Sequence, residues 1–273
     1  PMVTKSNGGV MRAELGKTRC VEMLLSGTAA GAIGAAFIAR QAGVMRAMSL
    51  DIGGTSADVA VISAGMPSYG TGERVGDFQV FIPTVSVSSI GEGGGSIAAV
   101  DALGRLTVGP ESAGSTPGPA CYARGGVRPT ITDAMCVLGL IGHGALGYDS
   151  VTVRRDLAEA AVDTIAAPLG RTREQAAEAV VQVAISGMYR EISKLAARQG
   201  VDARDFCLLP FGGAGPMLGA LLARELGMRE VLVPTTPGVL SALGGLIADI
   251  RGDVIETVYA DLDEASLPRI LEA

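Results

Sequence analysis

Leu50-Asp51-Ile52-Gly53-Gly54-Thr55-Ser56-Ala57-Asp58-Val59 reads as a strand that ends in an acid, turns on two glycines and returns through two hydroxyl residues to a second acid. Residues 48–52 have the make-up of a strand, and 56–63 form a second with Val59 and Val61 in alternation. Glycines in such a turn let backbone N–H groups crowd around a phosphate, where a Cβ would collide with it. Thr55 and Ser56 can donate hydroxyls to the same oxygens. Asp51 and Asp58 would be repelled by phosphate, so they would act through Mg²⁺ or its waters. The ten residues fit equally well a plain β-hairpin with a Gly-Gly turn and two solvated acids.

Working outward, a second glycine turn lies at Leu209-Pro210-Phe211-Gly212-Gly213-Ala214-Gly215-Pro216, between an expected strand (206–210) and an expected helix (216–226). Free N–H groups and the positive helix end suit an anion there. A structural tight turn fits as well. The run is not GxGxxG and lacks the lysine of a P-loop. Helices are predicted over 26–39, from Asp133 with Thr132 as cap, over 156–169, 172–199 and 238–247, and strands over 230–234 and 250–260. Residues 78–89 are β-rich, and 97–108 form a hairpin turning near Leu103-Gly104. Strands alternating with helices make the chain α/β, a class that binds ligands at strand ends. The irregular stretch 90–129 is too long for an ordinary connection and is expected to be functional. In helix 26–39, Gly27, Ala30, Gly31, Gly34 and Ala35 are spaced for close approach to another backbone. That face packs either on its own sheet or against a further lobe.

Composition removes several alternatives. The 273 residues are 48% hydrophobic and 18% charged, the profile of a globular interior. A net charge of −6 and only 4% aromatic residues argue against nucleic acid as partner. The four cysteines (Cys20, Cys121, Cys136, Cys207) contain no CxxC pair, so neither a disulfide scaffold nor a structural zinc site is expected. A single histidine excludes multi-histidine zinc chemistry, and its glycine-flanked turn, Gly142-His143-Gly144, reads as a surface loop, not as the imidazole of a catalytic triad. Any chemistry would then run on carboxylates, backbone amides and bound ions. No signal peptide or membrane-spanning run is visible, so a cytoplasmic location is expected. The chain starts at Pro1 and is expected to be a piece of something longer.

The two turns taken together, with Thr28-Ala29-Ala30-Gly31, resemble the second phosphate loop, adenosine loop and hinge helix of the actin/Hsp70/sugar-kinase superfamily. Further runs narrow the likeness: Ser6-Asn7-Gly8-Gly9, Leu25-Ser26-Gly27-Thr28-Ala29-Ala30-Gly31, Gly93-Gly94-Gly95-Ser96-Ile97-Ala98, Val108-Gly109-Pro110-Glu111-Ser112-Ala113-Gly114, Pro117-Gly118-Pro119-Ala120-Cys121-Tyr122, Pro129-Thr130-Ile131-Thr132-Asp133-Ala134 and Pro237-Gly238-Val239-Leu240-Ser241-Ala242-Leu243-Gly244. Over nearly the whole chain these resemble the hydantoinase A domain of the hydantoinase A/oxoprolinase family.

The resemblance implies one ribonuclease-H-like ATPase lobe over 1–273, with a Gly/Pro-rich functional insertion at 84–150. Its N-terminal companion lobe lies outside this chain, and a hydantoinase B-type subunit is the expected partner. It implies ATP and Mg²⁺ as cofactors, with Gly53, Gly54, Thr55 and Ser56 on phosphate, Gly212, Gly213 and Gly215 on adenosine, and Asp51 and Asp58 in the metal shell. Phosphoryl transfer to the amide oxygen of a hydantoin or 5-oxoproline ring would activate it for opening by water, chemistry that asks the protein for positioning and charge neutralisation. An ATP-dependent ketone carboxylase subunit and a non-catalytic ATP-binding paralogue are the alternatives. The sequence departs from the family pattern at Thr28 (usually Pro), Ala57 (Thr), Glu92 (Ala) and Leu218 (His). Asp133 is read either as a helix-capping residue or as a group facing the substrate.

Overall fold

The computed structural model describes residues 1–75, 77–142, 145–146, 151–253 and 266–268. His143 and residues 254–260 of the expected last strand lie outside them.

The fold is mixed α/β, built on one sheet with strand order β3–β2–β1–β4: β1 is Ala47–Ile52, β2 Ala57–Ser63, β3 Val87–Ile90 and β4 Cys207–Phe211. β1 and β2 are antiparallel, with Asp51 opposite Asp58 and Ile52 opposite Ala57. β4 joins β1 in parallel. Val87–Ile90, within the 84–150 stretch, belongs to this main sheet. The predicted hairpin is present as Ser96–Val100 paired with Leu106–Ser112.

Both sheet faces are covered, so side-chain alternation along each strand decides which core a residue enters. On one face Met48, Leu50, Ile52, Val59 and Val61 join the large core with α2 (Ile131–Val137), α3 (Arg155–Leu169), α4 (Arg173–Arg198) and α5 (Gly215–Leu226). On the other, Ala47, Ala60, Ile62, Leu209 and Phe211 meet α1 (Ser26–Gln41), and Leu240, the first residue of α6 (Leu240–Leu246), joins them. Asp51 and Asp58 share this second side by the same alternation.

The small residues of α1 serve this packing. A Cβ on Gly31 would lie 3.0 Å from Ser241 Oγ and 3.1 Å from the Phe211 ring, and one on Gly34 would lie 2.7 Å from the Leu240 carbonyl. Gly31 and Gly34 are therefore buried against this chain's own sheet and α6, while Gly27 at the helix start is exposed, so the packing part of the face rests on its own lobe. Gly31→Leu is expected to lower stability by about 1–3 kcal/mol through overpacking. Thermal unfolding checks this, and an unchanged midpoint would show that the face is open.

Three boundaries differ from expectation. Thr130, not Thr132, caps α2. Residues 230–234 make no ladder: Val231 forms one parallel bridge with Leu208, held by Leu208 N–H to the Glu230 carbonyl and Leu232 N–H to the Leu208 carbonyl. The helix expected over 238–247 is a 3-10 turn, Pro237–Val239, followed by α6.

Candidate functional site

The turn between β1 and β2 closes with Gly53 N–H donating to the Ser56 carbonyl at 3.0 Å. A strap of three glycines, Gly93–Gly94–Gly95, lies across it. Gly94 N–H donates to the Gly53 carbonyl at 2.9 Å and Gly95 N–H to the Gly54 carbonyl at 2.6 Å. A Cβ on Gly93 would lie 2.7 Å from Ser56 N and from the Thr55 carbonyl carbon, so only glycine permits this approach. Thr132 anchors the strap from α2, its N–H and hydroxyl both donating to the Gly94 carbonyl at 2.8 Å. On the other flank, Ala214 N–H donates to the Ile52 carbonyl at 3.0 Å, which fixes the start of α5 beside the turn.

These segments enclose a cleft of about 460 Å³. Gly53, Gly54 and Thr55 form one wall, and Gly94, Gly95 and Thr132 form another. Gly213, Ala214 and Met217 close the third side, with Pro119, Tyr122 and Arg124 from the irregular stretch. Arg124 is the one charged side chain among the described lining residues. A Cβ built on Gly54 or Gly213 meets nothing within 4 Å, so backbone, not side-chain bulk, faces the space. A larger hollow of about 690 Å³ lies at the opposite, N-terminal ends of β1 and β4, lined by Arg46, Asp205 and Glu230 among others. Ligands of α/β sheets bind at the C-terminal strand ends, which favours the first cleft.

Of the residues singled out by sequence, Gly53, Gly54, Thr55 and Gly213 line the cleft. Ser56 is half-buried in the turn and is not among the lining residues. Gly212 has φ +81 and presses against Ile52, its missing Cβ needing space 2.7 Å from the Ile52 carbonyl. Gly215 begins α5 and is buried near the Leu50 carbonyl. Asp51 and Asp58 stand on the α1 side of the turn, outside the cleft lining. Thr28 Oγ1 donates to Asp58 at 3.2 Å, Ser89 Oγ to Asp58 at 2.5 Å and Ser241 Oγ to Asp51 at 3.3 Å. Burial, and then the facing Asp58 carboxylate, push the Asp51 carboxyl above its usual range, while the Ser241 hydrogen bond pulls it down. A cation between the two acids would relieve that repulsion. Among the described residues no cluster of three or more metal-ligating side chains occurs. The pair therefore fits Mg²⁺ only if phosphate and water supply the remaining ligands, which is how Mg²⁺ is commonly held.

Tyr122, Arg124, Thr132, Met217 and the strap glycines received no site role from sequence. A triple glycine in a long loop was the available signal, but nothing local shows that it folds back onto the turn. Asp133 is wholly buried and committed to structure. Cys121 and Cys136 are buried thiols pushed up by desolvation, unsuited to act as thiolates. Leu218 is fully buried in the large core and does not line the cleft. No helix among the described residues is long and apolar enough to cross a membrane.

Residues 1–254 match the model of the hydantoinase/oxoprolinase family, and the chain belongs to that family. Caprolactamase subunit alpha of Pseudomonas jessenii is 36% identical over 261 residues, which cover 95% of this chain and 38% of that protein. The crystal structure of the ATP-dependent caprolactamase from Pseudomonas jessenii superposes with a TM-score of 0.81 at 35% identity, covering 98% of this chain and 40% of that one. A nucleotide-free structure of acetone carboxylase, an ATP-dependent enzyme, gives 0.80 at 30% identity, covering 91% of this chain and 35% of that one. This chain thus spans between 35% and 40% of the length of these relatives.

Proposed function

We propose that this chain supplies one wall of an ATP site in a longer enzyme that opens a small cyclic amide. The observation that carries this reading is the 53–55 turn, its carbonyls tied down by the Gly93–Gly95 strap and its glycine backbone, open at Gly54, facing the cleft. Its likeness to an ATP-dependent caprolactamase supports the reading. In this arrangement Gly53, Gly54, Thr55 and Ser56 present the turn to phosphate, and Gly212, Gly213 and Gly215 shape the adenosine side. Bound ATP supplies the phosphoryl group that makes a resonance-stabilised amide electrophilic. The chain's own task is to orient the phosphates, keep water out and present Arg124 to developing negative charge. Asp51 and Asp58, beside the turn on its α1 side, would hold the Mg²⁺ shell through the ion's waters.

The lobe is of the ribonuclease-H-like, actin/Hsp70/sugar-kinase kind, and the part of the 84–150 stretch beyond the sheet strand Val87–Ile90 is its functional insertion, since the strap, Pro119, Tyr122, Arg124 and Thr132 all come from it. An N-terminal lobe of the same protein and a hydantoinase B-type subunit complete the site. A ketone carboxylase subunit is the second reading, favoured by the acetone carboxylase superposition. The Leu218 departure falls in the core and so does not favour a non-catalytic paralogue.

The deciding measurement gives the full-length protein and its B-type subunit ATP with caprolactam, 5-oxoproline, hydantoin or a ketone plus bicarbonate. Release of the ring-opened acid, dependent on ATP and Mg²⁺, is expected. Asp51→Asn and Asp58→Asn should each raise the Mg²⁺ concentration needed for half-maximal rate. Carboxylation without ring opening would transfer the assignment to the second reading, and an unaltered Mg²⁺ curve in both variants would remove the two acids from the metal shell.

A further inference from the structure

The strap is bound to the turn on one side and to Thr132 on the other, and Glu92, the residue that leads into it, touches a third element. Glu92 reaches to α4, where Gly187 leaves a notch in the helix surface. A Cβ on Gly187 would overlap both carboxylate oxygens of Glu92. Glu92 Oε2 is the only buried side-chain polar atom among the described residues without a hydrogen-bond partner. The charged groups acting on it are Arg190 and Glu191, both on α4, and burial outweighs the attraction of Arg190, holding the carboxyl above its usual range. A carboxylate in this setting costs stability when ionised. Local rules are broken at such cost chiefly where function requires it.

The contact leads directly to the proposed phosphate site. Glu92 is bonded to Gly93, and Gly93 is packed backbone to backbone against Thr55 and Ser56. A shift of the Glu92 backbone is therefore passed to the turn through backbone contacts alone.

We propose that Glu92 is a positioning residue of the ATP site, its carboxylate seated in the Gly187 notch and setting how closely the Gly93–Gly95 strap presses on the 53–56 turn. This rests on the reading that the turn holds phosphate. The test uses the full-length protein with its B-type subunit and compares Glu92→Ala, Gly187→Ala and the double variant by ATP hydrolysis and thermal unfolding. Glu92→Ala should raise the KM for ATP on the order of tenfold, as loss of an orienting residue does, with a melting temperature no lower than the parent's. Gly187→Ala should lower the melting temperature by evicting the carboxylate. The double variant should regain that loss while keeping the raised KM. Parent-like KM and kcat in Glu92→Ala overturn the assignment. So does a melting-temperature loss with unchanged kinetics, which marks a plain structural contact, or a double variant as unstable as Gly187→Ala. A parent protein that hydrolyses no ATP overturns the reading of the turn itself and this role with it, whereas an active parent with an indifferent Glu92→Ala overturns only the role of Glu92. If Gly187→Ala does not fold, Glu92→Ala and the double variant still decide the question.

Discussion

Gly54→Val in the full-length protein is expected to lose ATP hydrolysis by on the order of 100-fold or more while remaining folded. Two observations separate the effects on function and fold. Gly54 is exposed, its φ lies outside the left-handed region, and a Cβ built there meets nothing within 4 Å. A branched side chain is thus accommodated by the chain itself, with a stability change within about 1 kcal/mol, as for most exposed substitutions. The same open space is the cleft that Gly53, Gly54 and Thr55 present to a ligand, so the valine methyl groups occupy the volume a phosphate needs. Gly93→Ala, only one strap away, should behave in the opposite manner. Its Cβ would meet Ser56 N, the Thr55 carbonyl carbon and the Gly53 carbonyl oxygen, all backbone and all under 3.0 Å, so fold and activity should fail together. Circular dichroism melts beside ATPase rates distinguish the two. A folded Gly54→Val variant that hydrolyses ATP at the parent rate would show that this turn does not hold phosphate.

The elements around the turn were legible in sequence because their signals are local. The strand-like make-up of 48–52 and the alternation in 56–63 predict β1 and β2, and the small-residue spacing of α1 announces close backbone contact. What that helix contacts was not legible, since Phe211 and Ser241 lie about 180 and 210 positions further along. The same limit hid half of the cleft. Gly94 and Gly53 are bonded across 41 positions, and periodicity carries no information at that range. Asp51 and Asp58 flank the turn in sequence and face each other across it. Side-chain alternation places them on the α1 side, a consequence visible only when the large core is known to lie on the opposite face. Thr130 and Thr132 flank Ile131 with equal capping chemistry, so local sequence does not choose the cap. Only the buried carboxylate of Asp133 chooses between them.

Asp133→Ala is expected to destabilise the protein by about 3–4 kcal/mol, near the upper end for single substitutions. The side chain is fully buried and its two oxygens are shared by four donors: Thr130 N–H at 3.0 Å, Thr130 Oγ1 at 2.8 Å, Ala120 N–H at 3.2 Å and Cys121 N–H at 2.7 Å. It closes the capping box of α2, and it also pins the Ala120–Tyr122 turn to that helix. Alanine would leave three backbone N–H groups buried without acceptors, which costs more than the net worth of the bonds removed. Asp133→Asn should fall between alanine and the parent. Its carbonyl can still serve Cys121, but its amide would face N–H groups with another donor. Pro119, Tyr122 and Thr132 all line the cleft and are all set by this junction, so ATP hydrolysis should fall as the junction loosens. A structural role makes the melting temperature and the rate fall in the same order: parent, asparagine, alanine. A substrate-facing role, the other reading open to Asp133 from sequence, would instead leave the asparagine variant as stable as the parent but inactive. Thermal melts of the three proteins beside their ATPase rates decide it, and a stable, inactive Asp133→Asn would return this carboxylate to the substrate side.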